Sequence, residues 1–439
     1  MYWKTVAHKI IPDSLTKVYH WLLAQAAARQ YHWPSESMIV IAITGTSGKS
    51  TTCEILWQIL QHQGYKVGLA SGIRFFDGVT SASNNTKMTM LGRFRLQKLL
   101  AQMKTNGCQY AIIETTSLGL SQYRHLGINI DVAAITNFWS EHDEAHGGLE
   151  QYRAAKGQLF HHLTTKPRKT INGKTIDKIS VLNADDDNYH YFAQFTSDKQ
   201  LAFSLQSHRP NTLTADKISY QADGCNFAIE NIPFHLPLLG SYNVTNALTA
   251  ITIASGLGVS LNDSAAALRG IAPVPGRLEY IDEGQDFTVI VDYAFEPKAM
   301  TKLYEVIIQL PHNKVIHVLG TTGGGRDAKR GGILGAMAAD FADIVIATDE
   351  DPYDDDPLKL IQRVATGAQN KGKELDKNLF IKRNRLDGIT KAVDLAQPGD
   401  IVLITGKGSE GAMAVANGKK IAWDDREVAR AAIQNKTKR

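Results

Sequence analysis

The sequence predicts an α/β protein: a P-loop central domain on a mostly parallel sheet, a C-terminal Rossmann-like α/β domain, and a short N-terminal helix. Three observations carry this. Short apolar runs alternate with helical stretches over most of the chain, the pattern of parallel strands joined by crossover helices. One of those runs leads straight into a glycine-rich turn and then a helix. A second series of runs begins after Pro273-Val274-Pro275-Gly276, where two prolines and a glycine suit a hinge.

The N-terminal segment, residues 1–38, stands apart. Asp13-Ser14 can cap a helix that ends before Pro34, with Leu15, Val18, Tyr19, Leu22 and Ala26 on one face. That stripe suits packing on its own domain; with Lys17 and Arg29 beside Trp21 and Trp33, residues 14–33 also suit a peripheral contact with a bilayer surface. The central domain, residues 39–275, carries apolar runs at Met38–Ile43, Tyr110–Ile113, Val132–Ile135 and Val181–Leu182. Residues 200–236, with shorter alternating runs around Asp223-Gly224, predict a small antiparallel insert, and Tyr242–Gly256 predicts a helix. The C-terminal domain, residues 276–439, has its own runs at Val289–Val291, Val315–Leu319, Ile344–Ala347, Phe380–Ile381 and Ile401–Ile404.

Composition bounds the function. The chain has 439 residues, 43% hydrophobic and 21% charged, the balance of a globular protein of two or three domains. Lys and Arg (48) exceed Asp and Glu (44) by 4, so no polyanion-coating surface is implied and no nucleic-acid partner is expected. The basic end Lys436-Thr437-Lys438-Arg439 reads as a solvated terminus. Cys53, Cys108 and Cys225 lie far apart without a Cys-x-x-Cys pair, which rules out a disulfide framework or zinc knuckle. A reducing cytoplasm is the expected compartment. No apolar run approaches the ~20 residues of a spanning helix, and the N-terminus lacks a signal-peptide core. A monomer is expected.

The strongest chemical signal is Gly45-Thr46-Ser47-Gly48-Lys49-Ser50-Thr51, between the run ending at Ile43 and a helix carrying Ile55, Leu56, Ile59 and Leu60. A bound phosphate needs a glycine-rich turn whose backbone N–H groups converge on it, a lysine for the terminal phosphates, and a hydroxyl for magnesium. A phosphate-bearing ligand with Mg2+ is therefore expected. The loop is a shortened form of the usual Gly-x-x-x-x-Gly-Lys-Ser/Thr.

That shortened loop, with Glu114-Thr115-Thr116-Ser117, Thr136-Asn137-Phe138, His142-Asp143, Ala155-Lys156, Asn183-Ala184-Asp185-Asp186, Gly240-Ser241-Tyr242-Asn243, Pro275-Gly276-Arg277 and Val291-Asp292-Tyr293-Ala294 in this order, resembles the Mur ligases. These are the ATP-dependent amide-bond-forming enzymes of peptidoglycan precursor synthesis. Gly324-Gly325-Arg326-Asp327, Asp349-Glu350-Asp351-Pro352 and Gly406-Lys407-Gly408-Ser409-Glu410 are most similar to the tripeptide synthetases that add the third residue. The resemblance implies that the phosphate-bearing ligand is ATP, that Lys49 holds phosphates, that Ser50 and Glu114 hold one magnesium, and that His142 serves a second. Lys156 matches a lysine the family carries as a carbamate, which would support magnesium. Asn243 would lie near adenine; Arg277 and Asp292 would reach ATP from beyond the central domain. Read from the residues alone, a buried salt-bridge acid is the lesser alternative for Glu114, whereas His142 reads as a surface histidine and Lys156 as a solvated helix lysine.

By the same resemblance Ser117, Gln122 and Arg124 contact a muropeptide-type acceptor. Arg326, Gly406, Asp351 and Glu410 meet the free amino acid. Diaminopimelate-adding enzymes read Asp-Asn-Pro-Arg where this chain reads Glu350-Asp351-Pro352-Tyr353, so the arginine for a distal carboxylate is missing. Asp351 and Glu410 without that arginine favour a cationic side chain, hence lysine or ornithine over diaminopimelate. Asp354–Asp356 suit a solvated loop or a helix cap.

Three departures bear on the reading. Only 44 residues precede Gly45, where the family has a whole domain for the uridine nucleotide. Phe295 and Ser409 each stand where histidine is usual. The expected function is thus an ADP-forming amide ligase acting on a glutamyl carboxylate. A lipid-linked muropeptide, folylpolyglutamate or cyanophycin-like acceptor is the alternative, and a non-catalytic nucleotide-binding scaffold is another.

Overall fold

The computed structural model describes residues 13–139, 147–206, 210–221, 223–325 and 329–438. Its first half is built on strands β1 (Ile39–Thr44), β2 (Val67–Ala70), β3 (Arg74–Phe76), β4 (Ser81–Ser83), β5 (Tyr110–Glu114) and β6 (Val132–Ile135). A hairpin of β7 (Lys169–Ile171) and β8 (Lys174–Ile176) precedes β9 (Ile179–Asn183), β10 (Lys199–Ser204) and β11 (Thr212–Thr214). Among the described residues these make a nine-stranded sheet in the order β11-β10-β9-β6-β1-β5-β2-β3-β4, with β7 and β8 apart. From β11 to β2 every pairing is parallel; β3 and β4 add an antiparallel edge.

A strand covered on both faces must be apolar along its run, and β1 is from Ile39 to Ile43. Ile41 and Ile43 point into a core shared with the helices Lys49–His62 and Ser241–Gly256. Val40 and Ala42, on the alternate face, join a core with the helices Arg93–Thr105 and Leu149–Thr165.

The second half repeats the logic on β15 (Glu279–Tyr280), β16 (Thr288–Asp292), β17 (Val315–Leu319), β18 (Ile344–Thr348), β19 (Leu379–Lys382) and β20 (Ile401–Thr405). Its order is β15-β16-β20-β17-β18-β19, parallel except for β15. Val289 and Val291 face one core while Ile290 faces the other. A hairpin of β21 (Ala412–Ala414) and β22 (Lys420–Ala422) closes the region. Asp356 accepts a hydrogen bond from the Leu358 N–H and Pro357 opens the helix Pro357–Gln369, so one of the three clustered acids is a helix cap.

Two sequence expectations are corrected. The antiparallel insert is narrower than residues 200–236: it consists of β12 (Asp216–Gln221), β13 (Gly224–Ile229) and β14 (Ile232–Leu236). The segments β10 and β11 extend the parallel sheet instead, because the short helix Tyr189–Ala193 returns the chain to the same edge beside β9.

The helix Asp13–Gln30 forms, but it does not pack through the expected stripe. Val18 is 53% and Leu22 54% exposed, and Tyr19 and Ala26 are exposed as well. Ala24, Ala27 and Ala28 are the buried residues, against the helix Arg93–Thr105 and the turn at Gly127. Three alanines let the helix axis approach closely, and the bulky residues are left facing solvent. The side chains of Leu15 and Lys17 lie outside those described. Among the described residues no helix is long and apolar enough to cross a membrane.

Candidate active site

The glycine-rich loop leaves the carboxyl end of β1, where open α/β sheets place their ligands. Its neighbours β5 and β6 end at the same level: Ile43 is in register with Glu114, and Thr44 with Ile135. The loop is shaped by close approach. Gly48 has φ of 79°, and a Cβ there would stand 2.1 Å from Asn246 Oδ1; one on Gly45 would stand 1.9 Å from Thr136 Oγ1. Only glycine fits. Thr136 Oγ1 donates to Ser47 O (2.6 Å), Asn137 Oδ1 accepts from Ser47 N–H (2.9 Å), and Thr46 Oγ1 lies 3.3 Å from the Tyr152 hydroxyl. Thr51 follows in the first turn of the helix, buried.

Lys49 Nζ donates to the carbonyls of Gly45 (3.1 Å) and Thr46 (2.9 Å), so its ammonium lies along the loop. Ser50 Oγ donates to Glu114 Oε2 at 2.8 Å, and the same oxygen accepts from Gly72 N–H at 2.7 Å. Glu114 is 2% exposed. A Cβ on Gly72 would be 3.3 Å from both Glu114 Oε2 and Ser50 Oγ, so that glycine leaves the cradle open. A hydroxyl and a carboxylate oxygen beside a phosphate loop are a donor set suited to Mg2+. Among the described residues no group of three or more His, Cys, Asp and Glu gathers as a metal cluster. His142 lies outside the described residues.

Lys156 is not a solvated helix lysine. It is 1% exposed, its Nζ donates to Gly45 O at 2.8 Å, and it lies 4.5 Å from the Tyr152 ring centroid. The helix Leu149–Thr165 thus aims it at the same loop as Lys49. Asn243 does not reach the loop itself: its Nδ2 donates to Leu239 O (2.7 Å) and its Oδ1 accepts from Asn246 Nδ2 (3.0 Å). Asn246 is the residue that meets Gly48.

Asp292, at the end of β16, accepts from Leu278 N–H and Ala294 N–H, both at 2.7 Å. These bonds fix the turn that follows the hinge. Burial raises its pKa, opposed by the charge of Arg277 and by those two bonds. The Arg277 guanidinium stacks 4.1 Å from the Tyr293 ring centroid. Phe295 packs edge-on against Tyr293 and under Arg330, which pairs with Glu296 at 2.6 Å.

Just beyond β5, Ser117 is buried at the start of the short helix Ser117–Ser121. Arg124 donates to Gln122 Oε1 (Nη2 at 2.6 Å) and to Met90 O. Arg93, not singled out from the sequence, donates to Gln122 O. Two guanidiniums therefore stand together, and each pKa is lowered by burial, Arg93 also by the charge of Arg124.

The residues expected to meet a free amino acid depart most from the sequence reading. Asp351 and Glu410 do come together, but with two lysines between them. Lys407 is fully buried and donates to Asp351 Oδ1 (2.9 Å), Glu410 Oε2 (2.8 Å) and Ala412 O (2.8 Å). Lys87, from the central domain, donates to Asp351 Oδ2 at 2.7 Å and to Glu410. The negative pocket expected from the two acids is thus offset by two cations. Gly406, at φ of 108°, turns the chain over Glu350, whose Oε2 a Cβ would meet at 2.7 Å. Arg326 lies outside the described residues.

The residues missed by the sequence reading as site members, Thr136, Asn246, Arg93, Lys407 and Lys87, are polar residues in ordinary element positions. Thr136 and Lys407 sit within motifs already quoted, which was the available signal; the others have no local mark.

Known proteins share the sequence and the fold of both halves. The family described as Mur ligase middle domain matches residues 43–254, and the Mur ligase glutamate ligase domain matches residues 276–408. The chain is 36% identical over 419 residues to a UDP-N-acetylmuramyl-tripeptide synthetase of Roseiflexus sp. (strain RS-1), covering 94% of this chain and 81% of that one. It is 34% identical over 412 residues to a UDP-N-acetylmuramoyl-L-alanyl-D-glutamate–2,6-diaminopimelate ligase of Geobacillus kaustophilus, covering 92% and 81%. A solved structure of a diaminopimelate ligase of that name superposes with a TM-score of 0.59 at 26% identity, over 91% of this chain and 79% of the other.

Proposed function

The chain belongs to the Mur ligase family of ATP-dependent amide-bond-forming enzymes, and on that premise we propose that it adds a diamino acid, lysine or ornithine, to a glutamyl carboxylate of a muropeptide-type peptidoglycan precursor. The observation that supports it most is the convergence of Lys49, Ser50, Glu114 and Lys156 on one loop at the carboxyl ends of β1 and β5.

A carboxylate does not react with an amine at neutral pH, so it must first be activated. The terminal phosphoryl group of ATP passes to a carboxylate oxygen, giving an acyl phosphate and ADP. The amino group then attacks the acyl carbon, and collapse of the tetrahedral intermediate releases inorganic phosphate and a proton. Lys49 and the N–H groups of Gly45–Thr51 would hold the phosphates while charge moves between oxygens. Ser50 and Glu114, with His142 at a second position, would hold magnesium, which supplies further charge neutralisation when bound. Lys156, whose Nζ lies at the Gly45 carbonyl, would as a carbamate formed from its neutral amine and carbon dioxide supply an anion to support that metal. Arg277 and Asp292 would carry the C-terminal half onto the nucleotide and keep water from the acyl phosphate.

Arg124 and Arg93 give the acceptor's carboxylates a paired-guanidinium seat near Ser117 and Gln122. Arg326 would take the carboxylate of the free amino acid. The exposed Val18, Tyr19, Trp21 and Leu22 on the N-terminal helix, with Tyr19 and Trp21 suited to the headgroup level, support a peripheral contact with a lipid-linked form of that acceptor. Flotation with anionic vesicles, lost in Trp21→Glu, is the check on that contact.

The deciding experiment is phosphate release from Mg-ATP across UDP-linked and lipid-linked muropeptides, each with lysine, ornithine or diaminopimelate. Release that requires both an acceptor and a diamino acid is expected. Release with folate or aspartyl polymers instead, or none despite ATP binding, would overturn the proposal.

A further inference from the structure

The four-residue cluster at the amino-acid end is asymmetric. Lys407 comes from the same half of the chain as Asp351 and Glu410, is fully buried, and makes three hydrogen bonds there. One lysine against two carboxylates leaves one net negative charge, with Asp351 Oδ2 and Glu410 presented to a second cation. The cluster is therefore a seat for a single monocation.

Lys87 fills that seat from the other half of the molecule, 264 residues before Asp351. It arrives on a strap after β4 and occupies the left-handed region at φ of 58°, a conformation that residues other than glycine seldom adopt. Asn84 braces the strap by donating to Ser71 O (2.9 Å) and Met88 O (3.1 Å) and by accepting from Thr86 N–H (3.1 Å). Thr86 O in turn accepts from Lys420 at 2.6 Å, and Asn85 packs on Gly411, where a Cβ would meet its Oδ1 at 1.9 Å. The strap thus lies on the C-terminal half and delivers a primary ammonium, on a four-carbon stem, to the two acids.

We propose that Lys87 is a specificity-determining residue that occupies, in the closed chain, the position taken by the side-chain ammonium of the incoming diamino acid, so that binding exchanges one ammonium for another. The inference rests on the diamino-acid reading above. It explains why buried Asp351 and half-buried Glu410 are matched by two ammoniums at rest: leaving the pair one cation short would be costly, and a tethered ammonium supplies it until substrate arrives. Lys407 is enclosed and makes three hydrogen bonds, one of them to the Ala412 carbonyl, whereas Lys87 meets only the two carboxylates, so Lys87 is the less firmly held of the two cations. It also makes the pocket selective: a neutral side chain of similar length cannot replace Lys87 without stranding a carboxylate.

The test is Lys87→Met, which keeps length and removes charge. A resident competitor reduces apparent affinity by the fraction of seats it fills, so its removal should lower the KM for lysine or ornithine by about three- to tenfold while norleucine remains a non-substrate. Carbodiimide coupling of the wild-type chain provides a second readout. The Lys87–Glu410 isopeptide, found by peptide mass spectrometry, should diminish as lysine is added and not as norleucine is added. A KM that is unchanged or raised in Lys87→Met, or a cross-link indifferent to saturating diamino acid during turnover, would overturn the exchange alone. Failure of the wild-type chain to release phosphate with any diamino acid would instead overturn the substrate reading beneath it.

Discussion

Lys49 and Glu114 show how differently two residues of one site are specified. Lys49 is fixed by its neighbours, since the turn and helix start that carry it are contiguous in the chain. Replacing it with alanine should cut phosphate release by roughly 10²–10³-fold while the thermal midpoint moves little, and retained turnover would remove the phosphate-loop assignment. Glu114 owes its place to a strand pairing, Ile43 opposite Glu114, and its oxygen meets Ser50 across 64 residues of chain. Glu114→Gln keeps the shape but removes the charge, so the magnesium concentration for half-maximal activity should rise about tenfold or more; an unchanged magnesium curve would reduce Glu114 to a structural acid. Lys156 marks the limit of sequence reading. Its helix segment reads as ordinary, and only packing against Tyr152 and the loop makes it a buried cation.

At the scale of elements, period and punctuation were enough to place most strands, because a strand buried on both faces has no room for polar side chains. The strand β2, the edge strands β3, β4 and β15, and the hairpins β7–β8 and β21–β22 were missed; all are short, and none carries a long apolar run. The N-terminal helix shows the opposite failure: its apolar stripe was legible, but the stripe is not the face that packs. Close approach selects small residues, so Ala24, Ala27 and Ala28 win over Val18 and Leu22. Ala27→Leu should therefore cost about 1–3 kcal/mol by overpacking, while Leu22→Lys stays within about 0.5 kcal/mol, both read from urea midpoints. The reverse order would mean that the stripe is the packed face.

At the scale of the whole molecule, three buried histidines among the described residues are kept neutral by the fold. Burial lowers the pKa of His317 from 6.5 to about 3 and that of His162 to about 4; His125, against His162, lies well below its ordinary value. His317 sits between the hydroxyls of Tyr304 (3.1 Å) and Thr405 (2.9 Å), needing no charge. The unfolded chain binds protons below pH 6.5 where the folded chain does not, so this contribution is fully present above 6.5 and is lost as pH falls toward the folded values. Each histidine contributes at most about 1.4 kcal/mol per pH unit. Urea midpoints should fall between about pH 7 and about pH 5.5, and less so in His317→Asn. A flat profile over that range would mean that these rings charge within the fold. The sequence by itself determined the two α/β halves, the phosphate loop and the family, because each is written in contiguous residues whose spacing is their geometry. Only the tertiary structure decided that Lys156 is buried at the loop, that Arg93 joins Arg124, and that Lys87 closes on Asp351 and Glu410. Those contacts join residues from separate elements, and a charge on the chain carries no local mark of the opposite charge that folding will bring to it.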